Sequence, residues 1–319
     1  MRDAAPIFSV CVRAYRDRDG LRRALASILG QTLRDLEVVV SDDRGVLEDV
    51  VRSVGDSRVR YLRNPGARGP AGNLVAALSA ARGDLFAVVN EDDALEPGFL
   101  AAAESVLSGD PEVGVVFAPN IWEAGGRRRV VAPGLSPGKH SDACAEILQH
   151  GMPACGVALR REVWTQGEAA TPLRHEMVGD ATVWLRAARD GWAFYGLREP
   201  MARFRLHPGQ VGWREDFPER MLATLDAFAF ADRTAESLRR ARVSELLATR
   251  AATELRRGRL RPALRTLREA AQTSPRGLRV RHLLAFVDVR AVAYRQLSRR
   301  PRLLFGLLRV WGRVRPNVA

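Results

Sequence analysis

Lysine is nearly missing: Lys139 is the single lysine in 319 residues, and every other basic side chain is arginine. A bias that uniform reflects codon usage as much as function, which weakens any nucleic-acid reading of the net charge of +13. No aromatic-interleaved basic stripe, zinc-finger spacing or RNA-binding signature accompanies the arginines, so nucleic acid is not an expected partner. Cysteine is scarce too. Cys11, Cys144 and Cys155 stand far apart, with no Cys-x-x-Cys pair, which argues against a disulfide framework or zinc site and for reduced, buried thiols. No apolar run approaches the roughly 18 to 20 residues that a membrane span needs, and no signal peptide precedes the first strand, so the expected location is cytoplasmic.

What is present is a core-forming chain with a lopsided charge. Its 46% hydrophobic residues can fill one large domain and a smaller one. Residues 1–214 carry 27 basic and 27 acidic side chains, whereas residues 215–319 carry 23 and 10, so the whole excess lies in the last third. A surface that basic suits anionic lipid headgroups, which places the protein's expected peripheral contact at the inner face of the membrane.

From residue 7 to 207 the pattern alternates strand and helix. Strands are expected at 7–12, 36–40, 59–62, 85–89 and 113–118, with helices at 20–30, 46–54 and 70–81 between them, the last with Pro70 in its first turn. Residues 125–138 read as a Gly/Arg/Pro-rich loop, followed by helices at 142–149 and 180–189 and short strands at 193–197 and 201–206. A βαβ series of this kind predicts a mostly parallel sheet with helices on both faces, followed from residue 215 by an all-α region. Within that region Gly258, Ala263, Leu267, Ala270 and Pro275 fall at the spacing of one tetratricopeptide-like helical pair. Residues 299–319 mix arginine with Leu, Phe and Trp, a composition shared by interfacial helices and by helices docked on their own protein.

The most informative local feature is Glu91-Asp92-Asp93, which follows the apolar run 85–89. Carboxylates at the carboxyl end of a buried strand lie where open α/β sheets collect ligands, and hard oxygen donors side by side select Mg²⁺ or Mn²⁺. An acidic strand-to-loop turn ahead of the helix near Pro97 gives the same letters. The triplet alone leaves both readings open.

Several stretches taken in order resemble the family 2 glycosyltransferases of the GT-A fold, over about residues 7–214. They are Ser9-Val-Cys-Val-Arg-Ala-Tyr15, Leu25-Ala-Ser-Ile-Leu-Gly-Gln-Thr32, Leu36-Glu-Val-Val-Val-Ser-Asp-Asp43, Gly69-Pro-Ala-Gly-Asn73 and Gly83-Asp-Leu-Phe-Ala-Val-Val-Asn-Glu-Asp-Asp93. Arg160-Arg-Glu-Val-Trp164, Gly179-Asp-Ala-Thr-Val-Trp-Leu-Arg186 and Phe204-Arg-Leu-His207 complete the series. The resemblance implies a GT-A nucleotide-diphospho-sugar transferase fold at 1–214 and a separate basic helical region at 215–319. It also implies an inverting, metal-dependent transfer of a sugar to a hydroxyl of a glycan or glycolipid, in surface polysaccharide or glycoconjugate biosynthesis.

By the same resemblance, Tyr15 stacks on the donor base and Asp42 accepts from it. Asn73, Asn90 and Arg205 belong to the donor site, Asp92 is the leading metal ligand with Glu91, Asp93 and His207 beside it, and Asp180 is the general base. Each has a plainer reading: Tyr15 as a rim aromatic, Asp42 or Asp43 as a helix cap, Asp180 as an N-cap, with Glu176 the nearest alternative base. Trp164, Trp184 and Trp192 read as core or acceptor-side wall. His140, His150, His175 and His282 show no site spacing.

The chain departs from the family pattern at three places. Asn90 fills the first acidic position, Gly179 replaces a Glu, and Arg13, Ala14 and Arg16 replace the commoner Pro, Thr and Asn. These keep a non-enzymatic reading open, a degenerate GT-A domain that binds nucleotide or glycan. A nucleotidyltransferase is disfavoured because no Gly-rich phosphate loop follows the first strand.

Overall fold

The computed structural model describes residues 5–275 apart from 125, 133, 153–154 and 207–215. The chain divides into two compact units, residues 1–239 and 240–319.

The first unit opens with β1 (Phe8–Ala14), α1 (Arg18–Leu29), β2 (Leu36–Asp42), α2 (Glu48–Val54), β3 (Val59–Arg63), α3 (Pro70–Ser79) and β4 (Leu85–Asn90). β2 is buried along its whole length and β1 and β4 nearly so, as their unbroken apolar runs require of strands covered on both faces. α1 is amphipathic: Leu21, Ala24, Leu25 and Ile28 are buried along one stripe, and the Asp17 carboxylate caps the helix by accepting from the Gly20 amide at 2.9 Å.

After β4 come β5 (Ala94–Leu95), α4 (Phe99–Gly109), β6 (Val113–Phe117), β7 (Asn120–Ala124), β8 (Arg127–Val131), β9 (Gly138–His140) and α5 (Cys144–His150). Then β10 (Val157–Arg160), α6 (Arg161–Ala170), α7 (Gly179–Arg189), β11 (Ala193–Gly196), β12 (Ala202–Arg205), α8 (Phe217–Asp226), α9 (Arg233–Arg256) and α10 (Leu260–Thr273) complete the described elements. The main sheet has the order β3-β2-β1-β4-β10-β6-β11-β9, and a second sheet has the order β5-β12-β7-β8. Pairing is parallel for β1 with β2 and β4, β2 with β3, and β6 with β11. β10 runs antiparallel between β4 and β6. The order reverses at β1, which has β2 on one side and β4 on the other, and a reversal of this kind opens a crevice beyond the carboxyl ends of the two diverging strands.

Parts of the first unit differ from the sequence expectation. The span 125–138, expected as loop, holds strand β8 and the start of β9, and β7 and β8 form a hairpin. The short strand β10 was not foreseen. The first compact unit runs to residue 239, and α8 packs on the start of α7 within it: the Thr224 hydroxyl accepts from the Val178 amide at 2.8 Å, and the Arg220 guanidinium donates to the Met177 carbonyl at 2.6 Å.

In the second unit, the part of α9 after residue 239 is followed by a turn at Gly258 (φ +76°) and by α10, and the Ser244 hydroxyl donates to the Ala270 carbonyl at 2.8 Å. Ala263 and Ala270 are fully buried in this pair. Residues 299–319 and His282 lie outside the described residues. Among the described residues, no helix is long and apolar enough to cross a membrane.

Candidate active site

The crevice at the reversal of strand order is lined from β1, β4, α3, α7 and β12. At the end of β4, Asn90 and Glu91-Asp92-Asp93 turn the chain, with the Asp93 amide bonded to the Asn90 carbonyl at 3.1 Å.

The three acids have different surroundings. Glu91 is buried and accepts from three successive amides of the loop after β1, those of Tyr15 at 2.7 Å, Arg16 at 3.1 Å and Asp17 at 3.0 Å. Burial raises its pKa and these amide bonds act in the opposite sense. Both oxygens of Glu91 are thereby engaged in shaping the loop that carries Tyr15. Asp93 is also buried: Asn90 donates to it at 2.7 Å and the Arg205 amide at 3.3 Å. Burial and the neighbouring charge of Asp92 push the Asp93 carboxyl up to about 8. Asn90 can serve here because it is not an acid; its amide donates to Asp93, where a carboxylate would add repulsion. Asp92 is half-buried at the edge of the crevice.

The Tyr15 ring is 46% exposed, and the guanidinium carbons of Arg16 and Arg44 lie 5.6 and 5.5 Å from its centroid. An exposed aromatic on a tethered loop is a stacking surface. Asp42 closes β2. It is fully buried and accepts from the Arg44 amide at 3.0 Å, the Leu47 amide at 2.7 Å and the Tyr61 hydroxyl at 3.0 Å, so it organises the turn from β2 into α2. Burial, and then the bond to Asp42, push the Tyr61 hydroxyl up to about 12. Asp43 does similar work, accepting from Asn64 at 2.8 Å and from the Gly69 amide at 3.0 Å just ahead of α3.

Asn73 faces the end of β1. Its amide nitrogen donates to the Ala14 carbonyl at 3.0 Å, and its oxygen is buried with no hydrogen-bond partner in the structure. A buried acceptor left this way is a place where a ligand donor or a water fits. From the other side Arg205 reaches over the crevice to Asp17, at 3.1 Å. His207 lies outside the described residues.

Asp180 stands in the first turn of α7, and the N-cap of that helix is Val178. Its Oδ1 accepts from the adjacent Ala181 amide at 3.0 Å, and its Oδ2 lies 3.8 Å from Arg13 Nη2. Gly179 packs on α3: a Cβ there would meet Leu74 at 3.1 Å and the Ala71 Cα at 3.5 Å. Glu176 pairs instead with Arg174 at 3.0 Å and His175 at 3.1 Å. Trp164 and Trp184 are core side chains, and the buried Arg186 lies over the Trp164 ring at 5.8 Å while pairing with Glu168 at 2.8 Å.

Sequence reasoning did not assign Asp17 to the site. Asp17 just before an amphipathic run is a legible cap signal, whereas its contact with Arg205 is not. Cys155 is buried, and burial followed by the charges of Asp93 and Asp92 raises its pKa well above the ordinary thiol value, as burial also does for Cys11. Among the described residues no three His, Cys, Asp or Glu side chains converge as a ready metal cage.

A mostly parallel sheet that reverses order at its first strand, with carboxylates beyond β4 and an exposed aromatic beyond β1, defines the GT-A class of nucleotide-diphospho-sugar transferase folds. Residues 9–165 match the sequence model of Glycosyl transferase family 2, which supports placing the first half of the chain among the family 2 glycosyltransferases. Over 97 residues the chain is 37% identical to the succinoglycan biosynthesis protein ExoO of Rhizobium meliloti, covering 30% of this chain and 28% of that one. The S. aureus TarS 1-349 structure in complex with UDP-GlcNAc superposes with a TM-score of 0.65 at 17% identity, over 83% of this chain and 81% of that one. The mannosyltransferase PcManGT of Pyrobaculum calidifontis, in complex with GDP-Man and Mn²⁺, superposes at 0.54 and 18% identity, over 93% and 83% of the two chains. The structural likenesses concern the fold. The chain matches 38%, 64% and 28% of the length of three curated relatives, less than two thirds in each case.

Proposed function

We propose that the chain transfers a sugar, with inversion, from a nucleotide-diphosphate donor to a hydroxyl of a glycan or glycolipid acceptor in surface polysaccharide or glycoconjugate synthesis. The observation that carries this reading is that Asp180 of α7 and the end of β4 both lie beside Arg13 of β1. Arg13 is in register with Asn90 and pairs with Asp180 at 3.8 Å, so a carboxylate suited to proton abstraction stands across one guanidinium from carboxylates suited to a cation that a diphosphate would share. The succinoglycan role of ExoO, the UDP-GlcNAc held by TarS and the GDP-Man held by PcManGT agree in kind with this substrate class.

The residues fit a divalent cation that is carried partly by the donor. Half-buried Asp92 and buried Asp93 stand side by side in the turn after β4, and a hard cation of the Mg²⁺ type is commonly held by one or two carboxylates together with substrate phosphates. Asp92 would hold Mg²⁺ or Mn²⁺ with the diphosphate oxygens, while Glu91 and Asp93 shape and support the turn. Such an ion supplies Lewis-acid stabilisation of the departing nucleotide.

The chain's own residues do the rest. Tyr15 offers a face to the base, the unpartnered Asn73 oxygen accepts from the donor, and Arg205 stands by the crevice mouth. Asp180 takes the acceptor hydroxyl proton as that oxygen attacks the anomeric carbon in line, from the side opposite the diphosphate; a new carbon–oxygen bond forms as the bond to the diphosphate breaks.

The test is a calorimetric panel of uridine, thymidine and guanosine diphosphates with and without Mn²⁺, on the protein and on Asp92→Asn. One nucleotide is expected to bind at least about tenfold tighter with Mn²⁺, with that gain lost in the variant. Equal affinity in excess chelator, or an undiminished gain in Asp92→Asn, overturns the metal role of Asp92. Tight nucleotide binding with no turnover of any sugar nucleotide points to the degenerate binding module instead.

A further inference from the structure

Arg13 is an unusual residue for its place. It sits near the end of a central strand, between Ser41 of β2 and Asn90 of β4, yet its side chain is only 11% exposed. A guanidinium so enclosed needs a reason, because removing it from water is costly unless its charge is answered. Its Nη2 faces Asp180 Oδ2 at 3.8 Å, and its Nε is buried with no hydrogen-bond partner in the structure. On its other side it is in register with Asn90, the residue that leads into the acidic turn. Arg13 therefore lies between the Asp180 carboxylate and the acidic turn after β4.

We propose that Arg13 is a positioning residue for the transfer step, holding Asp180 in place and apart from the acidic turn. The inference rests on the reading of Asp180 as the general base. Asp180 is restrained at both oxygens in different ways. Oδ1 accepts from the Ala181 amide at 3.0 Å, whereas the 3.8 Å gap at Oδ2 is an ion pair beyond hydrogen-bond length. A carboxylate oriented by charge at that distance keeps its Oδ2 lone pairs available, so no short bond has to break when it takes a proton. The neighbouring Gly179 adds to the dependence on Arg13. Glycine brings no side chain of its own, and the space at that position is closed by Leu74 and Ala71 of α3. Without the guanidinium, Asp180 could rotate toward whatever cation occupies the acidic turn and lose its aim at the acceptor.

The experiment uses the full chain and measures release of UDP or GDP from UDP-glucose, UDP-N-acetylglucosamine and GDP-mannose with water as acceptor, beside Kd for UDP and GDP with Mn²⁺. Arg13→Gln is expected to lower the maximal release rate by about ten- to a hundredfold with Kd changed less than about threefold, and Arg13→Lys to recover most of the loss. In Arg13→Gln/Asp180→Asn the loss should be no greater than in Asp180→Asn alone, since one residue acts through the other. A Kd weakened about tenfold or more at an unchanged maximal rate makes Arg13 a diphosphate clamp and overturns the proposal, as do losses that multiply in the double variant. Full release by Asp180→Asn sinks the base reading and this inference together. Slow release by Asp180→Asn with a wild-type rate in Arg13→Gln sinks this inference alone. If Arg13→Gln melts early, Arg13→Met keeps the packing of the stem and carries the same comparison.

Discussion

Glu37 on β2 receives four donors: the Ser9 hydroxyl at 2.6 Å, the Arg82 amide at 2.7 Å, Arg60 at 2.6 Å and Arg82 Nε at 3.0 Å. Burial alone would raise its pKa, but these bonds outweigh it and hold the carboxyl below the ordinary value. The sign of the consequence follows. The unfolded chain binds the proton more readily, so the contribution of Glu37 to stability is fully present above the unfolded pKa and is lost as pH falls through the lower folded one. Glu37→Gln should melt earlier at neutral pH, by about 2 kcal/mol or more for a buried charged hub, and the gap to the parent protein should narrow as pH drops below about 4. Thermal melts at neutral pH and at successive acid pH values check this, and a constant gap across that range counts against it. Glu91 is the counterpart at the opposite end of the sheet. Its three amide bonds mean that Glu91→Gln, with one oxygen and two competing donors, should loosen the Tyr15 loop and weaken nucleotide binding even though Asp92, the proposed metal ligand, is intact. Calorimetry with and without Mn²⁺ separates the two: a loop effect lowers affinity in both conditions, a lost metal ligand only in one.

At the scale of elements, the sharpest constraint is where α1 meets the end of β4. Gly20 lies in the first turn of α1, and a Cβ there would fall 2.5 Å from the Asp17 carboxylate and 2.6 Å from the Glu91 carbonyl oxygen. In an open helix Gly→Ala stabilises by up to about 1 kcal/mol. Here the added methyl meets backbone that cannot move without disturbing the acidic turn, so Gly20→Ala should destabilise by about 1 to 3 kcal/mol, seen as a lower urea midpoint at unchanged slope. The parallel core of the sheet was legible because strands buried on both faces spell continuous apolar runs, as in β1, β2 and β4. β10 was not, since four residues that slot antiparallel between β4 and β6 owe their strand to pairing partners distant in sequence. The β7–β8 hairpin escaped for a related reason. Arg127, Arg128 and Arg129 are exposed on an edge strand, so no in-out alternation marks it. The acidic triplet pointed to the site from sequence alone, but nothing in its letters says that Glu91 turns to the β1 loop, that Asn90 donates to Asp93, or that Arg13 stands beside Asp180. Those assignments depend on which backbone and side-chain groups the fold brings within hydrogen-bond reach.

For the whole molecule, charge and chemistry separate along the chain. The proposed donor and acceptor groups all lie before residue 206, in the part of the sequence with no net charge, while the excess of basic residues follows residue 214. Residues 299–319 carry six arginines and no acid, together with Leu, Phe and Trp side chains. An anionic bilayer attracts such a segment by roughly 1 kcal/mol per basic residue near the surface, an effect that salt screens within a Debye length of about 10 Å at 0.1 M. Deleting residues 299–319 should therefore reduce co-sedimentation with vesicles containing phosphatidylglycerol. The full chain's binding should itself fall as salt rises, and neither change should alter Kd for the nucleotide diphosphates. Equal sedimentation of the truncated and full chains would leave the tail with no part in membrane contact. A parallel loss of nucleotide affinity would instead tie the tail to the fold of the catalytic unit.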